Sequence, residues 1–201
     1  MNPVLYTVSV LLFVIATYAV FRLFVRRDYQ TKGRLTPLSS LLQLAILGLY
    51  FSFPYLYNPV EWAWFWSAAA PVGEPLRIAG VLCIVLGLAL AFGTMFWFDL
   101  RRSMGMHVDQ LIRSGPYRFT RNPQLVGGAL LVIGSVVLWP SWYALGWAAL
   151  YGFLAHVMVI TEEEHLRDVY GQEYADYCAE VPRYLGLPGV RQAAESGRSG
   201  G

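Results

Sequence analysis

Between Ile78 and Phe98 the chain runs for 21 residues without a charged side chain. A helix rises about 1.5 Å per residue and the hydrocarbon of a bilayer is about 30 Å thick, so a stretch of this length is matched to one membrane crossing. The composition extends that reading to the whole chain. Charged residues make up 14% and hydrophobic residues 56%, against about 25% charged in a typical soluble domain. Too few charges remain to wet the surface of a globule, and the apolar content excludes a disordered chain. The formal charge of +2 gives no argument for nucleic acid. Two cysteines, Cys83 and Cys178, cannot build a disulfide framework, and no Cys/His cluster has zinc spacing, so no metal is expected.

Five apolar segments are expected to span: about residues 4–25, 38–57, 76–98, 124–139 and 142–160. The last two are separated by Pro140-Ser141 and read as a helical hairpin. The fold class is therefore an all-α integral membrane protein with five transmembrane helices and a helical segment after the last. The first span has no basic residue before it and the cluster Arg26, Arg27, Lys32, Arg34 after it, which predicts an uncleaved anchor with its N-terminus outside. With that orientation, of the 15 basic residues Arg77 alone lies at an outer boundary, whereas four spans would misplace a basic cluster. Trp62, Trp64, Phe65, Trp66, Trp139 and Trp142 then fall at the opposite headgroup layer. Small residues recur in the spans (Gly80, Gly87, Ala91, then Gly127, Gly128, Gly134, then Gly152, Ala155), as close helix packing in lipid requires. Residues 1–192 read as one domain, and the Ser- and Gly-rich tail Ala193–Gly201 as disordered.

Polar side chains concentrate in Arg101–Asn122 and Thr161–Arg183, so a site is expected between them. In the first stretch Gly115-Pro116 marks a turn, and Asn122-Pro123 reads as a helix start, with Asn as cap and Pro at the first helical position. A helix N-terminus beside Arg118 and Arg121 also suits an anion such as a carboxylate; the same arginines serve equally as topology signals touching headgroups. The second stretch opens Thr161-Glu162-Glu163-Glu164-His165. Successive residues are spread around a helix, so one or two of these carboxylates turn inward. Glu162, nearest the membrane, is the candidate; Glu163 and Glu164 read as a solvated helix end pairing with nearby arginines. His156, inside the fifth span, reads as a hydrogen bond to a neighbouring helix. Tyr170, Tyr174 and Tyr177 read as a packing stripe.

The order of these pieces resembles the isoprenylcysteine carboxyl methyltransferases and, more broadly, the phospholipid-methyltransferase-like membrane enzymes. The matching elements are Leu111-Ile112 followed by Gly115-Pro116-Tyr117, then Arg121-Asn122-Pro123 with Gly127. After the hairpin come Glu162-Glu163, Gly171, Tyr174, Tyr177 and Val181-Pro182-Arg183. The resemblance implies a methyltransferase dependent on S-adenosyl-L-methionine, with the cofactor bound by Gln110, Leu111, Ile112, Tyr117, Asn122, Pro123, Gln124 and Glu162. It implies direct in-line transfer to a lipophilic acceptor at the cytoplasmic face of a bacterial inner membrane or endoplasmic reticulum. The chain departs from the family at Asn122 (commonly His), Leu125 (commonly Tyr) and Met158, where carboxyl-methylating members carry Arg. Methionine cannot orient a carboxylate, so a lipid amine, thiol or other lipophilic acceptor fits better, unless Arg101 or Arg102 takes that role. Glu163, His156 and His165 are the candidates for a base. An NADPH-dependent membrane reductase of the sterol-reductase type and a non-catalytic membrane homologue are the competing readings.

Overall fold

The computed structural model describes residues 3–57, 70–97 and 111–185. The aromatic segment Trp62–Trp66, the loop residues Arg101, Arg102, His107, Asp109 and Gln110, and the tail Ala193–Gly201 lie outside the described residues. Of those described, 83% are helical, which makes the fold all-α. The helices are α1 (Pro3–Ala19), α2 (Arg26–Lys32), α3 (Pro37–Ser52), α4 (Glu74–Trp97), α5 (Pro123–Leu138), α6 (Trp142–Tyr170) and α7 (Gln172–Glu180). A π-wound turn, Val20–Val25, joins α1 to α2 without a break.

Among the described residues, four helical runs are long and apolar enough to cross a membrane: Pro3–Lys32, Pro37–Leu56, Glu74–Phe96 and Trp142–Tyr170. The expected fourth span is the exception. Helix α5 is apolar but has only 16 residues, a rise of about 24 Å against a hydrocarbon thickness of about 30 Å. Two other helices overrun their expected ends. The first run continues past residue 25 to Lys32, and α6 continues past residue 160 to Tyr170. Apolarity marks what lies in lipid, whereas a helix ends where its backbone is stopped. The stops are Gly33 at φ +64° and Gly171 at φ +51°, in the left-handed region that other residues avoid.

Local chemistry sets the turns. Thr36 caps α3, its hydroxyl accepting from the Ser39 N–H (3.4 Å), with Pro37 in the first turn. Buried Asp28 locks this corner: its carboxylate accepts from the Thr36 N–H (2.9 Å), the Thr36 hydroxyl and Lys32 (3.2 Å). Ser141 caps α6 by accepting from the Ala144 N–H at 3.0 Å, and completes the expected hairpin after α5.

Helix α6 packs against α1, α2, α3's 3-10 extension and α5. Polar aromatic groups join these helices inside the apolar core. Tyr50 and Trp147 stack with ring centroids 5.1 Å apart. Tyr50 donates to the Trp147 carbonyl (3.2 Å), and the Trp147 indole donates to the Tyr50 carbonyl (3.0 Å). Tyr6 donates to the Tyr143 carbonyl at 2.8 Å. Water is absent at such depth, so each hydroxyl and indole must find a protein partner.

Helices α4 and α5 run antiparallel with their backbones in contact. A Cβ on Gly87 would lie 2.5 Å from the Gly127 carbonyl oxygen, and one on Gly134 would lie 2.5 Å from that of Gly80. The expected small-residue packing thus holds for Gly80, Gly87, Gly127 and Gly134, and extends to Ala91, whose backbone meets Gly127. Gly128 differs in facing the Tyr151 hydroxyl on α6, and Gly152 faces open space. Trp139 does not fit a headgroup anchor: it is buried in a cluster with Ala70, Ile84 and Leu138. Trp142 is exposed, at 87% of its surface. Gly87→Leu should destabilise the protein by about 1–3 kcal/mol through overpacking against a backbone that cannot yield, read as a fall in the melting temperature in detergent. Gly152→Ala should leave it unchanged.

Candidate functional site

The charged end of α6 distributes its carboxylates differently from expectation. Glu162 is exposed, Glu163 is buried with 2% of its surface accessible, and Glu164 is half-buried. At about 100° per residue the three point in separate directions, and Glu163 is the one that other segments cover. Arg121, from the entrance to α5, forms an ion pair with it at 2.9 Å, while its Nη1 donates to the Cys178 Sγ at 2.6 Å. Arg183, beyond α7, grips both oxygens, with Nε at 2.9 Å and Nη2 at 2.7 Å. Arg167, one turn along α6, donates at 2.9 Å. Bidentate guanidinium–carboxylate pairing is the strong geometry for such groups, and it holds the Arg183 guanidinium above its ordinary pKa.

Backbone bonds reinforce this closure. The Arg121 N–H donates to the Pro182 carbonyl (3.0 Å). Both Asn122, through its side-chain amide (2.9 Å), and Thr120, through its hydroxyl (3.3 Å), donate to the Arg183 carbonyl. Asn122 therefore stands where a cap was expected, with Pro123 after it, but its side chain makes no capping bond. At ψ 61° its backbone is not the extended form a cap uses, and its amide is spent on the returning strand. The first turn of α5 is left without a side-chain cap.

The loop before α5 is seated on α7. Tyr177 donates to the Tyr117 carbonyl (2.8 Å), and Arg113 bonds the Glu173 carbonyl (2.5 Å) while lying over the Tyr177 ring at 5.7 Å. Tyr174, Tyr177 and Val181 form a small core with Leu111, Leu166, Tyr170 and Cys178, so the tyrosine stripe packs. Tyr117 is pushed above the ordinary phenol range by burial first and the Glu162 charge second, so its hydroxyl stays protonated within range of that carboxylate.

Glu164 belongs to a separate contact. It pairs with Arg22 on the π-wound turn (2.9 Å) and with Arg26 on α2 (2.9 Å). His165 is buried and stacked on Tyr29, centroids 4.0 Å apart and 6° from parallel, and its Nε2 has no hydrogen bond among the described residues. His156 is exposed and forms no hydrogen bond among the described residues, so the expected bond to a neighbouring helix is not made to any described one. Met158 and Leu125 both pack on the apolar core, and the Leu125 carbonyl accepts from Tyr151 at 2.6 Å.

Sequence reasoning named both segments that meet; it expected Glu162 to be the carboxylate that turns inward, whereas the one buried between them is Glu163. Leu111 packs on the Tyr174–Tyr177–Val181 core, the Tyr117 carbonyl accepts from Tyr177, and Asn122, followed by buried Pro123, donates to the Arg183 carbonyl. Glu162 stands beside the Glu163 junction, forming no hydrogen bond or ion pair among the described residues, and Gln110 lies outside them. Arg183 had no assigned role, though the Val181-Pro182-Arg183 string had been noted, and the spacing of Glu163 to Arg167 is a readable ion-pair signal.

Residues 75–173 match the family model of the phospholipid methyltransferases. The chain is phospholipid-methyltransferase-like. No curated protein and no solved structure matches it. The matched stretch runs from the start of α4 to the start of α7. It contains the α4–α5 backbone contact, Asn122 and both Glu162 and Glu163, and it stops before Arg183. Glu163→Gln should destabilise the protein by about 3 kcal/mol, because it leaves Arg121 buried without a counterion. Arg167→Gln, at a half-exposed position, should cost less than about 1 kcal/mol; thermal unfolding of the two variants checks the contrast.

Proposed function

We propose that the chain is an S-adenosyl-L-methionine-dependent methyltransferase that alkylates a lipophilic or membrane-embedded acceptor at the cytoplasmic face. The observation that carries this reading is the junction at Glu163, which ties the entrance of α5 to the segment beyond α6, with Glu162 beside it and in no ion pair among the described residues. The donor set fits the cofactor's chemistry. A carboxylate at one end calls for cations and an uncapped helix N-terminus, present as Arg121 and the first turn of α5. Positive groups call for an acidic side chain not already neutralised, and Glu162 is such a group whereas Glu163 and Glu164 are not.

When bound, the cofactor supplies an electrophilic methyl sulfonium. The protein's part is placement. Leu111 and Ile112 with Tyr117 would offer one wall and an aromatic surface. Asn122, Pro123 and Gln124 present the start of α5, and Glu162 meets positive charge. Holding the acceptor aligned and close is worth several orders of magnitude in rate without further chemistry. A protonated acceptor also needs a base. Glu163, saturated by three guanidiniums, is a structural anion, and His156 faces away from the bundle core. His165, with a buried unpartnered nitrogen, remains for that role. With Met158 packed in the core, nothing at that position orients a carboxylate, and a lipid amine, thiol or hydroxyl is the better acceptor.

S-Adenosylhomocysteine should raise the melting temperature of the purified protein, by the linkage expected when a ligand binds only the folded state, and NADPH should not. Radiolabelled methyl transfer to total lipid extract should fall at least about tenfold in Glu162→Gln, the loss of one charge-assisted contact. Undiminished transfer would remove Glu162 from the site.

A further inference from the structure

Helices α1, α2 and α3 lie outside the stretch matched to the family, yet α2 is built against the acidic turns of α6. Arg22 and Arg26 pair with Glu164 at 2.9 Å each, and Arg22 also donates to the Thr161 hydroxyl at 3.4 Å. One turn beyond Arg26, the Tyr29 ring lies flat on the His165 imidazole, with centroids 4.0 Å apart. The neighbouring Asp28 is fastened to Thr36 and Lys32, so α2 has little freedom to turn. His165 and Glu162 are three residues apart on α6, a separation that makes side chains neighbours on a helix. A ring stacked on His165 therefore stands beside Glu162, and the Glu162 charge is felt at the Tyr29 hydroxyl as it is at that of Tyr117. Phenols from two distant segments thus flank one carboxylate. Neither Tyr29 nor Glu162 forms a hydrogen bond among the described residues. A carboxylate only accepts, and a phenol oxygen can accept as well as donate. Two such groups left open side by side suit a positively charged donor with several N–H bonds.

We propose that Tyr29 is a cofactor-binding residue: its hydroxyl oxygen and the Glu162 carboxylate together accept from the ammonium group of S-adenosyl-L-methionine, so that the site extends onto α2. This rests on the cofactor reading given above and names which positive group meets Glu162. An ammonium has three N–H donors, enough for both oxygens, whereas a sulfonium has none. The bond to the carboxylate is charge-assisted and the stronger of the two; the bond to Tyr29 fixes direction. His165 contributes by stacking, which sets the plane of the phenol and hence where its oxygen lies.

Equilibrium binding to the purified protein in detergent tests the assignment with two probes: S-adenosylhomocysteine, which keeps the ammonium, and 5′-methylthioadenosine, which lacks it. Tyr29→Phe preserves the ring on His165 and should leave the melting temperature of the ligand-free protein unchanged. It should weaken S-adenosylhomocysteine binding about tenfold, the loss of one hydrogen bond to a charged group, and leave 5′-methylthioadenosine binding as in the wild type. Glu162→Gln combined with Tyr29→Phe should cost less than the product of the two separate losses, because both side chains hold one group. Equal weakening of the two ligands, losses that simply multiply, or wild-type S-adenosylhomocysteine binding by Tyr29→Phe would overturn the assignment. In that last case a loss in Glu162→Gln alone would leave the cofactor reading standing. A wild-type protein that binds no S-adenosylhomocysteine would remove that reading and the role of Tyr29 together.

Discussion

A single buried carboxylate organises the polar end of this protein. Glu163 pairs with three arginines that arrive from different places: the entrance of α5, its own helix one turn on, and the segment beyond α7. Placing an ion in a low-dielectric setting is costly unless it is paired and hydrogen-bonded, and here the pairing is what brings distant parts of the chain together. Once Arg121 and Arg183 are fixed, the returning segment is aligned so that its Pro182 and Arg183 carbonyls accept from Arg121, Thr120 and Asn122. The loop before α5 then rests on α7 through Tyr177.

The apolar part of the molecule follows another logic. In lipid no hydrophobic drive pulls helices together, so van der Waals contact and satisfied polar groups must do it. The α4–α5 pair uses the first means, with glycines letting backbones touch. The α1, α3 and α6 group uses the second, with Tyr6, Tyr50 and Trp147 bonding to carbonyls across helices. Both devices serve the same end: α6 is held firmly enough for its last turns to leave the apolar region in a defined orientation, carrying Glu162, Glu163 and Glu164 to three different partners or none.

Much of this was legible in the residues. The helical class, the hairpin at Pro140-Ser141, the small-residue contacts of α4 with α5, and the two polar stretches that meet are all written in local pattern, because charge-free runs, caps and glycine spacing act over a few residues. The family resemblance rested on strings such as Gly115-Pro116-Tyr117 and Arg121-Asn122-Pro123, which the match over residues 75–173 overlaps. The places where reading failed share a cause. Choosing among Glu162, Glu163 and Glu164, or between a capping and a tethering role for Asn122, depends on which distant segment lies opposite, and no local pattern carries that.

The amino-acid sequence by itself determined that this chain lives in a membrane as a bundle of helices with its ionisable groups gathered at the helix ends, since the cost of charge in hydrocarbon allows little else. Only the tertiary structure decided which acid is buried and which is open, because a rotation of about 100° per residue turns neighbours toward different surroundings. The arginines that settle the matter approach from 20 residues downstream at Arg183 and 42 upstream at Arg121. Burial is a property of what folds over a side chain, and for Glu163 that covering comes from elsewhere in the chain.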